Sequence, residues 1–230
     1  MRDQRGFTLI ELLVSISMSL VVLAAVFAIT TSVLRHQDRI VRRVDANSRG
    51  RPVMTHIVQG LHSACVTSHI VPVRTGSTGT SIDFLSKAGS APGLQPDLHR
   101  VTLTGSTLSE TVFGASNSTP PDYGGFTTTI TPTTTLLTNV SAPSGVVFRY
   151  YRYLNGALST TPLPTPLSSS DAALTSYVTV SFLSQPGVID GTRRGVNTQD
   201  PNSPLMMNSG VDLRLENAGQ YPNQDNLPCV

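Results

Sequence analysis

The chain has 230 residues and a formal net charge of +2, and 13% of its residues are charged, about half the roughly 25% usual for soluble domains. Its length permits a single core, since all-β folds often reach this size as one unit. The balanced charge gives no global field that would indicate a nucleic-acid-binding protein, and two cysteines are too few for a disulfide scaffold.

The first predicted element is a membrane-spanning helix. Leu12–Leu34 contains no charged residue, and about 20 apolar residues in a helix suffice to cross a bilayer. Small polar residues interrupt the stretch, as is common where membrane helices pack on one another: Ser15, Ser17, Ser19, Thr30, Thr31 and Ser32. The pattern therefore predicts a span with helical partners.

A secreted β-domain protein with a cleaved signal peptide is the alternative. Arg2 and Arg5 would form the charged region of that peptide, and Val26–Ala28 would be its cleavage site. The apolar stretch, however, exceeds the roughly 7 to 15 residues of a signal core. In addition, Glu11 lies near its start, where a lone carboxylate is costly and needs a reason.

The segment Arg5–Val14, RGFTLIELLV, resembles the cleavage and methylation motif of type IV prepilins over its whole length. The resemblance implies that a prepilin peptidase cuts after Gly6 and methylates the new N-terminus at Phe7. Residues 1–6 would then be a leader, and residues 7–34 a transmembrane and assembly helix. Further implied partners are other pilin or pseudopilin subunits, which pack on this helix, and an inner-membrane assembly platform.

The resemblance also explains Glu11. Cleavage would leave an ammonium group at Phe7 in apolar surroundings, four residues before this carboxylate. The family pattern pairs the glutamate with the amine of a neighbouring subunit. An unpaired charge at this depth costs at least about 2.5 kcal/mol, so assembly into a helical stack would satisfy both groups.

The charges that flank the span favour the opposite orientation from the one that the resemblance implies. Two arginines precede the span, whereas six follow it, namely Arg35, Arg39, Arg42, Arg43, Arg49 and Arg51. A positive-inside count therefore places the C-terminal part in the cytoplasm. A leader that faces a cytoplasmic peptidase places it outside, and we adopt this orientation from the motif. The expected location is the cytoplasmic membrane in a single pass, and later a cell-surface or periplasmic filament.

These six arginines form the one basic cluster of the sequence, and Arg35, Arg39 and Arg42 share a helical face. Three partners stay open: anionic head groups of the lipid bilayer, acids of adjacent subunits, and nucleic acid in a DNA-uptake pilus. The first two need only a location just outside the span, and we prefer them to nucleic acid for that reason.

Residues 35–65 are predicted to continue the helix as an amphipathic segment. Apolar residues recur there at helical spacing: Ile40, Val41, Val44, Met54, Ile57, Val58, Leu61, Ala64 and Cys65. Gly50 and Pro52 disfavour an unbroken helix and predict a kink or a short break near them. The resemblance implies the same long, bent helix, whose second half lies on a sheet.

Residues 66–230 are predicted to form an extracytoplasmic domain of antiparallel strands, because the apolar period changes to two after Cys65. Asn155-Gly156 is a strong hairpin signal. The predicted strands are Ser81–Ser86, His99–Thr104, Thr107–Phe113, Gly145–Leu154, Tyr177–Leu183 and Leu205–Ala218. Two segments rich in Thr, Ser and Pro, Thr127–Thr138 and Ser159–Ser170, are predicted to be surface loops or edge segments.

Two loose patterns could bind metal. His62, Cys65 and His69 have a usable spacing if one helix contains all three, but a fourth ligand is not evident. Oxygen ligands around a polar loop could bind calcium, although without EF-hand spacing: Asp190, Asp200, Asn202 and Asp212. We prefer ordinary histidines and a solvated loop, since short motifs produce many false positives. No metal or cofactor is predicted.

The sequence predicts no enzyme, because it contains no nucleophile elbow, P-loop or dinucleotide fingerprint. A disulfide between Cys65 and Cys229 is predicted from the extracytoplasmic location, where disulfides persist, and a buried thiol at Cys65 with a free one in the tail is the alternative. The expected fold class is α+β, a long N-terminal helix packed on an antiparallel sheet. The expected function is that of a minor pilin or pseudopilin, and a pilus-tip adhesin or DNA-uptake subunit on the same scaffold is the alternative.

Overall fold

The computed structural model describes residues 8–65, 71–86, 95–117, 123–186 and 204–213, apart from the side chains of residues 35, 36, 38 and 39. The chain divides into two compact units, Met1–Val44 and Asp45–Val230. Helix α1, Leu9–His62, contributes residues to both units. The predicted fold class is confirmed, because a long apolar N-terminal helix is followed by antiparallel sheets.

The described part of the first unit is α1 up to Val44, and its apolar side chains lie at the surface. Every large apolar residue between Leu9 and Leu34 is exposed, and the least exposed of them, Val33, retains 48% of its accessible surface. The stretch contains neither Gly nor Pro, so nothing in its sequence interrupts the helical hydrogen bonds. A helix that is apolar all round needs a surrounding other than water.

The second unit contains two four-stranded antiparallel sheets. In the first, β1 to β4 follow one another in chain order, and in the second, β9 pairs with β10 on one side and with both β5 and β6 on the other. The bounds are β1 Ser81–Ser86, β2 Asp97–Thr104, β3 Thr107–Gly114, β4 Thr128–Thr138, β5 Val140–Ser141, β6 Phe148–Tyr151, β7 Tyr153–Leu154, β8 Ala157–Leu158, β9 Tyr177–Ser184 and β10 Leu205–Asp212. A short helix, α2, spans Ser169–Leu174.

One apolar core joins the end of α1 to both sheets. Val53, Met54, Ile57 and Leu61 of α1 recur at three and four residues, so they lie on one helical face. They pack with alternating residues of the strands, among them Ile82, Phe84, Val101, Leu108, Phe148, Tyr150, Val178, Val180 and Phe182. A smaller cluster contains Cys65, Leu85, Leu98 and Tyr123.

Most predicted strands are confirmed, but two need correction. The strand predicted at Leu205–Ala218 ends at Asp212, and residues 214–218 lie outside the described part of the chain. Gly145–Leu154 is not one strand, because it starts with the end of a 3-10 turn and divides into β6 and β7 at Arg152. Thr127–Thr138, predicted to be a surface loop or an edge segment, contains the edge strand β4, where Pro132 is tolerated because an edge strand has one unpaired side. Ser159–Ser170 is more than a surface loop, because it contributes buried Leu163 and Leu167 to the core.

The predicted turn at Asn155-Gly156 is confirmed. It joins β7 to β8, and both residues have positive φ, 53° and 79°. A two-residue hairpin turn with this backbone matches the twist of the flanking strands, and Asn and Gly adopt it at low cost.

Candidate processing, assembly and docking sites

The N-terminus of α1 is capped by a hydroxyl. The backbone N–H of Glu11 donates to Thr8 Oγ1 over 3.3 Å and to the Thr8 carbonyl over 3.1 Å. Thr8 therefore occupies the cap position, and Glu11 lies three residues later in the first turn, which is the spacing of a capping box. The partial positive charge at a helix N-terminus favours a carboxylate there. Glu11 is exposed.

The predicted cleavage site lies just before this cap. Gly6 and Phe7 are outside the described residues, and so is the predicted leader of residues 1–6. Their roles, and the pairing of Glu11 with an amine, stay predictions.

The polar side chains of the apolar stretch form hydrogen bonds within their own helix. Five hydroxyls donate to backbone carbonyls three or four residues earlier, over 2.8 to 2.9 Å: Ser15, Ser17, Ser19, Thr30 and Thr31. A hydroxyl satisfied in this way does not require water. By length and composition, Leu9–Leu34 is a helix that could cross a membrane, with 26 residues and a mean hydropathy of 2.7.

Residues 1–27 match the family of the prokaryotic N-terminal methylation motif, which is the type IV pilin-like prepilin signature. The chain carries a prepilin signature. The match contains Gly6, Phe7 and Glu11, and it supports a pilin-like protein processed by prepilin peptidase. No curated protein matches the chain. The signature ends within the apolar stretch, so the second unit has to be understood from its own contacts.

Polar contacts hold α1 to the sheets where the helix enters the second unit, at Ala46 and Arg49. The hydroxyl of Ser184, in β9, donates to the Ala46 carbonyl over 2.9 Å in a fully buried setting. Arg49 donates to Thr138 Oγ1 over 3.0 Å. The Arg49 guanidinium therefore takes part in docking the helix on the sheet.

Gly50 is a close-packing position, whereas the sequence suggested a helix breaker. A Cβ atom added there would lie 2.8 Å from Met207 Cε and 3.0 Å from Ser184 Cβ. Helix α1 contains Gly50 and Pro52 without interruption, so the predicted short break is wrong. Pro52 is exposed, so the carbonyl that loses its helical partner can be hydrated. A kink at this point stays a prediction.

A cluster of two histidines and one glutamate lies at the helix–sheet interface and was not predicted from the sequence. Glu110, in β3, is about nine-tenths buried, and its two carboxylate oxygens contact different rings. Oε2 lies 2.7 Å from His56 Nε2 of α1, and Oε1 lies 2.9 Å from His99 Nδ1 of β2. The His99 ring also stacks on Phe84, with 5.3 Å between centroids.

The electrostatics of this cluster keep Glu110 charged. Burial raises the pKa of Glu110, but hydrogen bonds and charge interactions with His99 and His56 outweigh this effect, so the pKa lies below its ordinary value of 4.5. The carboxylate therefore joins three elements of the second unit, α1, β2 and β3. Alternation could have placed Glu110 and His99 on the inward face with Val101 and Leu108, but no local pattern indicates that His56 is their partner.

The candidate metal patterns from the sequence are not assembled by the described residues. His62 is exposed and Cys65 is fully buried, while His69 is outside the described part of the chain. Asp212 accepts a hydrogen bond from the Tyr153 hydroxyl over 2.9 Å, and the other calcium candidates, Asp190, Asp200 and Asn202, are not described. Among the described residues, no group of three or more His, Cys, Asp or Glu could hold a metal ion.

Cys65 lies three residues beyond the end of α1, in the smaller apolar cluster, so the helix is shorter than the predicted segment 35–65. Its backbone N–H donates to the Leu85 carbonyl over 2.8 Å, so it continues the edge of the first sheet. Cys229 is outside the described residues, and the predicted pairing stays a prediction.

Proposed function

We propose that this chain is a structural subunit, a minor pilin or a pseudopilin, that assembles into or initiates a thin helical filament. The observation that carries this proposal is the prepilin signature on a helix whose apolar surface, Leu9–Leu34, is exposed throughout. A continuous apolar surface of this size marks a membrane or protein interaction site. The bilayer would cover it before assembly, and the helices of neighbouring subunits afterwards.

The second unit supports this function because its core is complete without the apolar stretch. The face of α1 from Val53 to Leu61 is buried by strands of the same unit. The subunit would thus combine an assembly helix with a domain that folds by itself. In the proposed orientation this domain lies outside the cytoplasm, and a reporter fused to the C-terminus should be active only outside.

The direct test is the mature N-terminus of the full chain produced together with a prepilin peptidase. We expect the mature protein to begin at Phe7 and to carry a methyl group, as measured by mass spectrometry. Gly6→Leu should leave the full-length protein in the membrane, because the side chain would obstruct the cut. A peptidase-deficient strain is the control. A mature protein that begins near Ile29 would contradict the proposal and indicate a signal peptide.

Glu11 should act after processing. Glu11→Gln keeps the side-chain length and the cap at Thr8 and removes only the charge. We expect normal cleavage but about 70-fold less incorporation into filaments, since leaving the ammonium group uncompensated costs about 2.5 kcal/mol, which corresponds to this factor. Ser15→Ala, one turn further on, is the matched control, because its hydroxyl bonds only to its own helix. Wild-type incorporation of Glu11→Gln would contradict this role.

We also propose the disulfide Cys65–Cys229. Cys65 is fully buried three residues beyond the end of α1, and no cysteine among the described residues is free. The bond would close a loop of more than 160 residues and would stabilise the fold by about 2–4 kcal/mol. Peptide mapping of the exported protein without reductant should recover the linked peptides. Recovery of both cysteines as free thiols would contradict the bond and weaken the extracytoplasmic assignment.

A further inference from the structure

The part of α1 that follows the apolar stretch has two chemically different faces. At about 100° per residue, Ile40, Val41 and Val44 fall within an arc of about 100°. The four arginines of residues 35–44 fall within a second arc of about 100° on the opposite side. We call this second set the arginine face: Arg35, Arg39, Arg42 and Arg43.

The arginine face begins where the candidate span ends. Leu34 is the last residue of that span, and a rise of 1.5 Å per residue places Arg35 to Arg43 about 1.5 to 14 Å further along the helix. The head-group layer on each side of a bilayer is about 5 to 8 Å thick. Cα–Cβ bonds tilt towards the helix N-terminus, so the side chains of Arg42 and Arg43 start back towards the membrane.

The segment of residues 35–44 carries a net positive charge, which favours the binding of anions. Asp38 is the one acid among residues 35–44, against four arginines. The described side chains of Arg42 and Arg43 are half-buried and exposed, respectively. Because the apolar residues lie on the other side of the helix, packing of Ile40 and Val44 against another helix would leave Arg42 and Arg43 accessible.

We propose that the arginine face binds anionic phospholipid head groups at the surface of the bilayer that α1 spans. The inference rests on the membrane-spanning part of the proposed function, and it is independent of processing and filament assembly. Each arginine near an anionic surface adds about five-fold in binding. The face therefore holds the helix at a fixed depth, and the anionic lipid content of the membrane sets how firmly the subunit is retained.

The test uses the full chain in phosphatidylcholine nanodiscs, with and without phosphatidylglycerol. Native mass spectrometry measures the preference for bound phosphatidylglycerol over phosphatidylcholine. We expect Arg42→Gln/Arg43→Gln to lower this preference by about 25-fold, about five-fold for each arginine, with the helix intact because Gln has nearly the helix propensity of Arg. Arg149→Gln/Arg152→Gln, which removes the same charge from the second unit, should retain it.

Two outcomes overturn the inference. The first is that Arg42→Gln/Arg43→Gln keeps the lipid preference of the wild type, or that Arg149→Gln/Arg152→Gln lowers this preference as much as Arg42→Gln/Arg43→Gln does. The second is binding of duplex DNA by the detergent-solubilised wild type, lost in the same variant, without any lipid preference, which would assign the face to nucleic acid. Raising the salt concentration should weaken the lipid preference of the wild type, because exposed charges are screened beyond about 8 Å at physiological ionic strength. Failure of Glu11→Gln to change assembly would contradict the filament proposal and leave this result intact.

Discussion

The two ends of α1 place the same kind of side chain in opposite surroundings. Ile40, in the first unit, is 62% exposed, whereas Ile57, in the second, is 1% exposed. Both are isoleucines within one continuous helix, so intrinsic helix propensity is the same for the two. The stability of the later part comes from packing on the strands. The stability of the earlier part has to come from lipid or from other subunits.

Removal of residues 1–34 should have the largest effect among the tests of this difference between the two parts of α1. A fragment that begins at Arg35 should be soluble and monomeric, because the apolar face from Val53 to Leu61 is buried within the second unit. Its circular dichroism should be dominated by β-structure. The full chain should remain with membranes in the same fractionation. A fragment that sediments with membranes, or that gives a mainly helical spectrum, would contradict the division.

Matched truncations within the helix give the next largest effect. Ile57→Ala should lower the free energy of unfolding of this fragment by roughly 3 kcal/mol, because it removes buried methyl groups and leaves a cavity. Ile40→Ala should change it by less than about 0.5 kcal/mol, since an exposed side chain loses little on truncation. Urea unfolding measures both values. Equal losses would show that Ile40 is buried in solution.

Gly50 tests how closely the helix must approach β9 and β10. Gly50→Leu should destabilise the fragment by about 2 kcal/mol, because overpacking forces Met207 and Ser184 to move. Ser48→Leu, on the exposed side of the same turn, should have little effect and is the control. If the two variants unfold at the same urea concentration, the close approach at Gly50 does not matter for stability.

The smallest expected effect concerns the interface carboxylate. The folded-state pKa of Glu110 lies below its ordinary value of 4.5. The stability that it contributes is therefore fully present above pH 4.5 and is lost as the pH falls through the folded-state pKa. Glu110→Gln should cost about 1–2 kcal/mol at neutral pH, and the difference from the wild type should shrink in acid.

Asp212→Asn is the matched control for Glu110→Gln. Its carboxylate accepts one hydrogen bond at the surface, from Tyr153. The substitution should therefore change the free energy of unfolding very little at any pH. Unfolding free energies of the three proteins, measured from neutral pH down to below 4.5, decide the matter. Parallel curves for the wild type and Glu110→Gln would show that the histidine contacts do not stabilise the charged carboxylate.

The sequence was most informative where the structure depends on neighbours along the chain. The apolar stretch, the strands Ser81–Ser86 and Tyr177–Leu183 and the turn at Asn155-Gly156 follow from composition, alternation and turn chemistry. The strand Thr128–Thr138 was recognised only as an edge or loop, because its residues are exposed on both faces up to Thr135 and show no alternation.

The errors concern contacts between residues far apart in the sequence. Gly50 has the local signature of a helix breaker, and only the approach of Ser184 and Met207 explains why a glycine fits inside this helix. In the same way, the sequence around Glu110 indicates only a polar residue within a strand, and the contact with His56 explains why a carboxylate is buried there. Such pairings depend on the tertiary arrangement, which periodicity does not contain.

The hydroxyls of the apolar stretch have a consequence for transfer between environments. Since Ser15, Ser19 and Thr30 donate to carbonyls of their own helix, the helix offers an almost purely hydrocarbon surface with few hydrogen bonds to exchange. Movement from lipid to a neighbouring helix then replaces one set of dispersion contacts with another of similar strength. Glu11 is the one charged residue of the stretch Leu9–Leu34. The free energy of that movement is therefore set mainly at a single carboxylate near the start of the helix.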